Sequence, residues 1–222
     1  MNLSATSGLQ PVKSESLSAQ VVAALRSAIF AGHLAPGQAL RELHLARDLG
    51  VSQATIREAL SQLERFGLVV RTPHVGTQVT RLSQEEVLER VELRLLLEER
   101  ALTQAAARMD GPALDTLRSL LGMLTQATRR NEYFEQAQAD LAFHRFIWAQ
   151  SGNRTLYSML DQLSVPLFAF VSIERGTQRR NLADVVESHE GIVGALRSGE
   201  RGAIRKALRQ HFEYGFPISR RD

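Results

Sequence analysis

Ser52–Val70, SQATIREALSQLERFGLVV, is the stretch that decides how the chain is read. Ile56, Ala59, Leu60 and Leu63 recur with the spacing that puts apolar side chains on one stripe of a helix, facing a core. Ser52 stands at the N-cap position and Gly67 just past the C-terminal end. Gln53, Arg57 and Ser61 form a separate polar stripe on the same helix, free to touch something else. Just upstream, Glu42–Leu49 (ELHLARDL) makes a shorter helical run that Gly50 breaks. Two short helices joined by a tight glycine turn have the helix-turn-helix shape. Downstream, Val69–Thr72 and Thr77–Thr80 predict two short strands around the turn Pro73–Gly76, the wing of a winged helix-turn-helix. The alternative is a helical unit of packing alone.

Working outward, the chain of 222 residues is 44% hydrophobic and 23% charged, the balance of a globular protein. No apolar run approaches the ~20 residues of a membrane-spanning helix. No apolar signal-peptide core stands near the start. The absence of cysteine removes disulfides and thiolate metal sites and fits a cytoplasmic location. The formal charge is +3, and its distribution is uneven. Up to Leu82, Lys13, Arg26, Arg41, Arg47, Arg57, Arg65, Arg71 and Arg81 outnumber Glu15, Glu42, Asp48, Glu58 and Glu64. Beyond Leu82 the two signs balance, so the whole excess lies where phosphate would be met.

Residues 1–14 are rich in Ser, Gly and Pro without periodicity, which predicts a disordered tail. Leu17, Val21, Leu25, Ala28 and Ile29 predict the first helix of a DNA-binding domain spanning residues 15–80. Arg81-Leu82 is the linker, and Ser83-Gln84-Glu85-Glu86 is a capping box that opens a second domain, residues 83–216. From there only helical periods appear. Val91 to Met109, Leu114 to Leu124, Phe134–Gln150, Leu156 to about Ile173, Asp184–Arg197 and Gly202–Tyr214 predict an antiparallel bundle of about six helices. Pro166 falls inside the fourth of these and should kink it. The fold class is therefore mainly α.

Three apolar stripes of the bundle each carry a histidine. They are Ala137, Leu141, His144, Trp148; Val185, His189, Ile192, Leu196; and Ile204, Leu208, His211, Gly215. A single inward histidine is ordinarily a hydrogen-bonded core residue. Three on three helices also make a ligand set for a divalent metal ion: zinc first, with nickel, manganese or iron as alternatives. Asp140 lies one helical turn before His144, so both can reach one ion. A carboxylate with three imidazoles completes a four-ligand set. Arg94 and Glu98 fall on the Val91 stripe. Either they pair along their helix, or the guanidinium grips a carboxylate ligand beside the metal.

The chain resembles a known family along nearly its whole length after the tail. Ile29-Phe30-Ala31-Gly32-His33-Leu34-Ala35-Pro36-Gly37, Leu45-Ala46, Leu49-Gly50-Val51-Ser52, Arg57-Glu58-Ala59-Leu60 and Gly67-Leu68-Val69 are similar to the DNA-binding half of GntR-family transcriptional regulators. It departs at Gln53 and Thr55, where members usually carry Arg and Pro, and at Leu43, where some place an Arg. Asp140-Leu141-Ala142-Phe143-His144, Ser151-Gly152-Asn153, Ser188-His189-Glu190-Gly191-Ile192 and His211 resemble the FCD effector domain of the FadR subfamily. The resemblance implies DNA contacts from Ser52, Gln53, Thr55 and Arg57 on the helix and from Arg71 and Gly76 on the wing. It implies metal ligands Asp140, His144, His189 and His211, with Arg94 and Asn153 on the effector side.

The function expected on these grounds is a ligand-responsive transcription factor. It would be a homodimeric repressor on a palindromic double-stranded operator, controlled by a small organic acid bound near the metal, with no membrane partner. A regulator with a metal-free structural bundle, or a metal-dependent hydrolase, are the other readings. The chain contains no H-E-x-x-H, G-x-S-x-G or P-loop pattern that would favour an enzyme.

Overall fold

The computed structural model describes residues 16–178 and 183–215. The expected tail, residues 1–14, lies outside them. The helix α1, Leu17–Phe30, is capped by Ser16 and buries Val21, Leu25, Ile29 and Phe30. After the two-residue strand β1, Ala39–Leu40, comes α2, Glu42–Leu49, which ends at Gly50 in the left-handed region. The helix α3, Gln53–Arg65, starts on the Ser52 side chain, which accepts the Thr55 amide. Its stripe Ile56, Ala59, Leu60 and Leu63 is fully buried. β2, Val69–Thr72, and β3, Gly76–Val79, form the wing, and β1 pairs antiparallel with β3 on its other side. Thus β3 begins and ends one residue earlier than the sequence suggests. The strand β1 was not foreseen, because two residues hold no alternation to read.

The bundle consists of α4 (Gln84–Ala106), α5 (Gly111–Arg130), α6 (Tyr133–Gln150), α7 (Arg154–Gln178), α8 (Ala183–Ser198) and α9 (Arg201–Gly215). Ser83 and Glu86 cap α4 reciprocally, as the sequence indicates. Asp110 caps the start of α5 and Asn131, at φ 55°, ends it. Pro166 sits inside α7, where it leaves the carbonyl one turn back without its usual amide partner. Arg90 of α4 fills that gap, its Nη1 lying 3.5 Å from the Gln162 oxygen and 3.4 Å from that of Leu163. The 21-residue segment Arg154–Glu174 of α7 contains an 18-residue window of mean hydropathy 1.4, long and apolar enough to cross a bilayer. This amends the sequence reading, which found no such run. Burial of 56% of that window within the fold accounts for its composition.

The two halves share a core. Ile56, Leu60, Leu63 and Phe30 of the N-terminal unit join one apolar cluster with Ala101, Leu141, Trp148, Leu160 and Phe168 of the bundle. The Phe30 and Phe134 rings meet edge to face at 6.5 Å. Ser172 Oγ lies 3.0 Å from the Phe30 carbonyl and 3.3 Å from that of Tyr133, closing the α1–α7 contact. Gly67 has φ +70°, and a Cβ on it would stand 3.0 Å from Pro166 Cγ.

Gly67 therefore meets two demands, whereas Gly50, at φ +66°, has nothing within 4 Å of its Cβ position. Left-handed geometry costs an L-residue roughly 1–2 kcal/mol. Gly67→Ala is expected to destabilise the protein more than Gly50→Ala in urea unfolding. Equal midpoints for the two variants would show that the Pro166 contact yields freely.

Candidate metal and nucleic-acid sites

The apolar periods of α6, α8 and α9 carry His144, His189 and His211 to one point in the bundle. All three are buried, and one ring nitrogen of each lies within 4.8 Å of the others. Ring centroids are 4.5 Å apart for His189–His211, 4.9 Å for His144–His211 and 5.4 Å for His144–His189. Asp140 Oδ1 lies 3.0 Å from His189 Nε2 and 3.4 Å from His144 Nε2. The fold brings together all four residues singled out as metal ligands.

Hydrogen bonding sets which nitrogen of His189 and of His211 faces the cluster. His189 Nδ1 is 2.6 Å from the Val185 carbonyl, an acceptor only, so Nδ1 carries the proton. Ser188 Oγ donates to the same carbonyl at 2.8 Å, so its oxygen accepts from His211 Nδ1 at 3.1 Å. His144 Nδ1 points toward Glu98 Oε2 at 3.4 Å. His189 and His211 thus direct Nδ1 outward and keep Nε2 as the lone-pair side, while both nitrogens of His144 lie 3.4 Å from carboxylate oxygens. In a neutral His189 that lone pair would face the Asp140 carboxylate at 3.0 Å. Two acceptors that close need a proton or a cation between them. Neither nitrogen of His144 has a hydrogen-bond partner of good geometry. Imidazoles gathered at a common point, each with its Nδ1 beside a carbonyl, hydroxyl or carboxylate oxygen, are the donor set that a divalent ion requires.

Arg94 and Glu98 form the intrahelical pair that was the first of the two sequence readings. They pair at 2.8 Å, one helical turn apart, and both are buried, at 1% and 0% side-chain exposure. The Arg94 guanidinium also lies over the rings of Phe168, 4.8 Å, and Phe212, 5.0 Å. Burial alone would raise the Glu98 carboxyl, but Arg94 and His144 outweigh it and bring its pKa to about 2. Burial likewise acts to raise Asp140, and the neighbouring His189 and His144 hold it well below the carboxylate range. Burial, reinforced by the neighbouring His189 and His144, pushes His211 well down. Glu98 and Ser188 complete the cluster's surroundings. The stripe position of Glu98 was legible in sequence; the hydroxyl of Ser188 had no signal beyond its neighbour His189.

Asn153 is placed differently. Its Oδ1 accepts the Leu156 amide at 3.0 Å, capping α7. It follows the end of α6, which lies six residues past His144, or roughly 9 Å along the axis. The expected effector-side residue is thus a helix cap in this structure.

On the N-terminal unit, Ser52, Gln53, Arg57, Arg71 and Gly76 are exposed and Thr55 is half-buried. Arg57 of the polar stripe already has a partner, however. Arg57 Nη2 is 3.0 Å and Nε 3.3 Å from Glu42 Oε2 of α2. Ser52 Oγ is engaged with the Thr55 amide at 3.1 Å and the Thr55 hydroxyl at 2.8 Å. Arg57 and Arg71 border one shallow concavity with Arg65, which the helix period alone did not pick out. At the wing tip His74 has φ 63° and Gly76 φ 105°.

Comparison with known proteins bears on both sites. Residues 17–79 match the family described as bacterial regulatory proteins, gntR family, and residues 89–214 match the FCD domain. The probable D-xylose utilization operon transcriptional repressor of Paenarthrobacter nicotinovorans is 29% identical over 191 residues, 86% of this chain and 83% of that protein. The gluconate operon transcriptional repressor of Bacillus subtilis (strain 168) is 22% identical over 193 residues, 85% of this chain and 79% of its own length. Among solved structures, E. coli McbR/YncC superposes with TM-score 0.79 at 25% identity, covering 92% of this chain and 97% of its own. A putative GntR regulator from Rhodococcus sp. RHA1 shares the fold with TM-score 0.71 at 22% identity, covering 90% and 95%.

The Arg94–Glu98 pair yields a test that needs no ligand. Breaking a buried pair by removing one partner costs about 3–5 kcal/mol, because a charge is left stranded. Glu98→Ala is expected to lose about that much in urea unfolding. The double variant Arg94→Met with Glu98→Leu should lose less. A double variant as unstable as the single one would show that the pair stabilises through more than mutual neutralisation.

Proposed function

Because the chain belongs to the GntR family of bacterial regulators and carries an FCD domain behind its DNA-binding domain, we propose that this transcriptional regulator is a metal-dependent, acid-responsive repressor. One divalent ion per chain, zinc in preference to nickel, manganese or iron, is held by Asp140, His144, His189 and His211. The observation that carries this reading is the pair of facing acceptors, His189 Nε2 and Asp140 Oδ1, 3.0 Å apart. The ion supplies a centre to which a carboxylate effector can bind. The chain's own part is to hold the imidazoles oriented, and to place the Arg94 guanidinium, steadied by Glu98, on the adjoining wall. The same contact in metal-free protein would be a protonated His189 paired with Asp140, and the two states are separable by titration.

On the DNA side, Arg57, Arg71, Ser52, Gln53, Thr55 and Gly76 meet a double-stranded operator. The DNA-binding unit spans residues 15–80 and the effector unit residues 83–216. Two copies act on a palindromic site, as two-fold operators are read by two-fold proteins. Support for a homodimer comes from Leu93 and Leu96 of α4, 50% and 63% exposed, beside Met159 of α7, 52% exposed. These three side chains border one groove at the surface of the bundle. An effector that favours one bundle arrangement over another shifts operator affinity through the core shared by the two halves.

Two measurements check this reading. Chelator-treated protein should take up about one zinc per chain and gain thermal stability. Its affinity should fall as pH drops through the imidazole range near ~6.5, because protons compete for Nε2. A stripped protein that binds none of these metals at micromolar concentration would leave the cluster as packing. Separately, Arg57→Ala should weaken operator binding by roughly 10- to 100-fold if it reads a base edge. Unchanged operator affinity in the folded variant would move recognition off this helix.

A further inference from the structure

Between the two halves lies a cavity of about 320 Å³ whose walls come from both. Ile29 of α1, Leu68 before the wing and Val79 of β3 face Phe170 and Ile173 of α7, with the linker residues Arg81 and Leu82 along one side. That volume is at the lower end of the roughly 300–1,000 Å³ typical of small-molecule pockets. The space is partly open to solvent, and its apolar lining gives water few partners. The lining has little polarity to offer: the Thr80 hydroxyl is already committed to the Gly67 carbonyl at 2.6 Å.

Arg81 is the one cation on these walls. Its Nη2 donates to the Pro36 carbonyl at 3.2 Å, and its Nε lies 3.3 Å from where a Cβ on Gly37 would stand. The close turn at Gly37, φ +83°, lets the guanidinium lie against the backbone. No carboxylate pairs with Arg81 among the described residues. A guanidinium has five N–H donors, so most of its capacity is uncommitted.

We propose that this junction cavity is a second small-molecule site, separate from the histidine cluster, which takes a compact apolar carboxylate. Its body lies against Phe170 and Ile173 and its carboxylate meets Arg81. The two sites are reached from different residues of α7. Phe168 stands beside Arg94 at 4.8 Å and His144 at 5.9 Å, while Phe170 and Ile173 line the cavity. A ligand here touches α1, the wing, the linker and α7 together, and so bears directly on how the DNA-binding unit sits on the bundle. It requires no metal.

The experiment uses the full chain treated with chelator, titrated with 2-naphthoate and with the uncharged 2-naphthalenemethanol by calorimetry. Both should bind, the acid more tightly. Arg81→Gln, a change at an exposed position, should weaken the acid about tenfold or more and leave the alcohol unchanged. Ala169→Leu, which fills the cavity from α7, should remove both, with thermal unfolding confirming that the variant is folded. Three results would overturn the proposal: no binding of the acid to chelator-treated protein, binding that Arg81→Gln leaves intact, or binding that appears only after zinc is added. The last would assign the ligand to the histidine cluster instead.

Discussion

Charge buried in a dry core has to be answered by opposite charge, and the bundle is built around that constraint. Arg94 meets Glu98 at 2.8 Å, Glu98 approaches His144 at 3.4 Å, His144 approaches Asp140 at 3.4 Å, and Asp140 meets His189 at 3.0 Å. The series alternates basic and acidic groups from α4 through α6 to α8, and His211 adds α9. Each carboxylate lies between two basic groups, which is why both stay ionised despite the burial that opposes it. Desolvating such groups is costly, so the row is weak evidence for stability and better evidence for a retained function. A purely structural core would do as well with leucines.

The helix α7 converts that local chemistry into something the DNA-binding unit can feel. Phe168 packs on Arg94 and His144, Ser172 touches the carbonyl of Phe30, and Pro166 lies under Gly67. One rigid element thus contacts the buried charges on one side and α1 with the end of α3 on the other. The continuous apolar cluster through both halves means that they are not beads on a string. A displacement of α7 is transmitted by packing, since close-packed interiors shift between arrangements more readily than they compress.

Much of this was legible in the residues before any coordinates. The period of Ile56, Ala59, Leu60 and Leu63, with Ser52 and Gly67 near its ends, located α3, because local hydrogen bonding and one-sided burial leave their mark in adjacent sequence. The same logic placed His144, His189 and His211 inward on three helices. What the period could not supply was which stripes face each other. Asp140 and His189 are 49 positions apart, and their contact exists only because the bundle brings the inward stripes of α6 and α8 to one point. Arg57 seemed free on its stripe because its partner, Glu42, belongs to another helix 15 positions away. Asn153 looked like part of a site by motif, yet its carboxamide caps α7, a role fixed by where a helix begins in space.

By itself, then, the sequence determined the elements and their inward faces, since helix periods, caps and glycine turns are governed by residues within a turn or two of one another. It also determined the inventory of chemistry: three imidazoles and a carboxylate on buried stripes, and an excess of positive charge confined to the segment up to Leu82 that contains the winged helix-turn-helix. Only the tertiary structure decided the meetings. It set His189 Nε2 against Asp140, wrapped Arg94 between two aromatic rings and opened a cavity between α1, the wing and α7. Those distances depend on how whole faces of helices fit together across long separations in the chain, and no local pattern of residues encodes that fit.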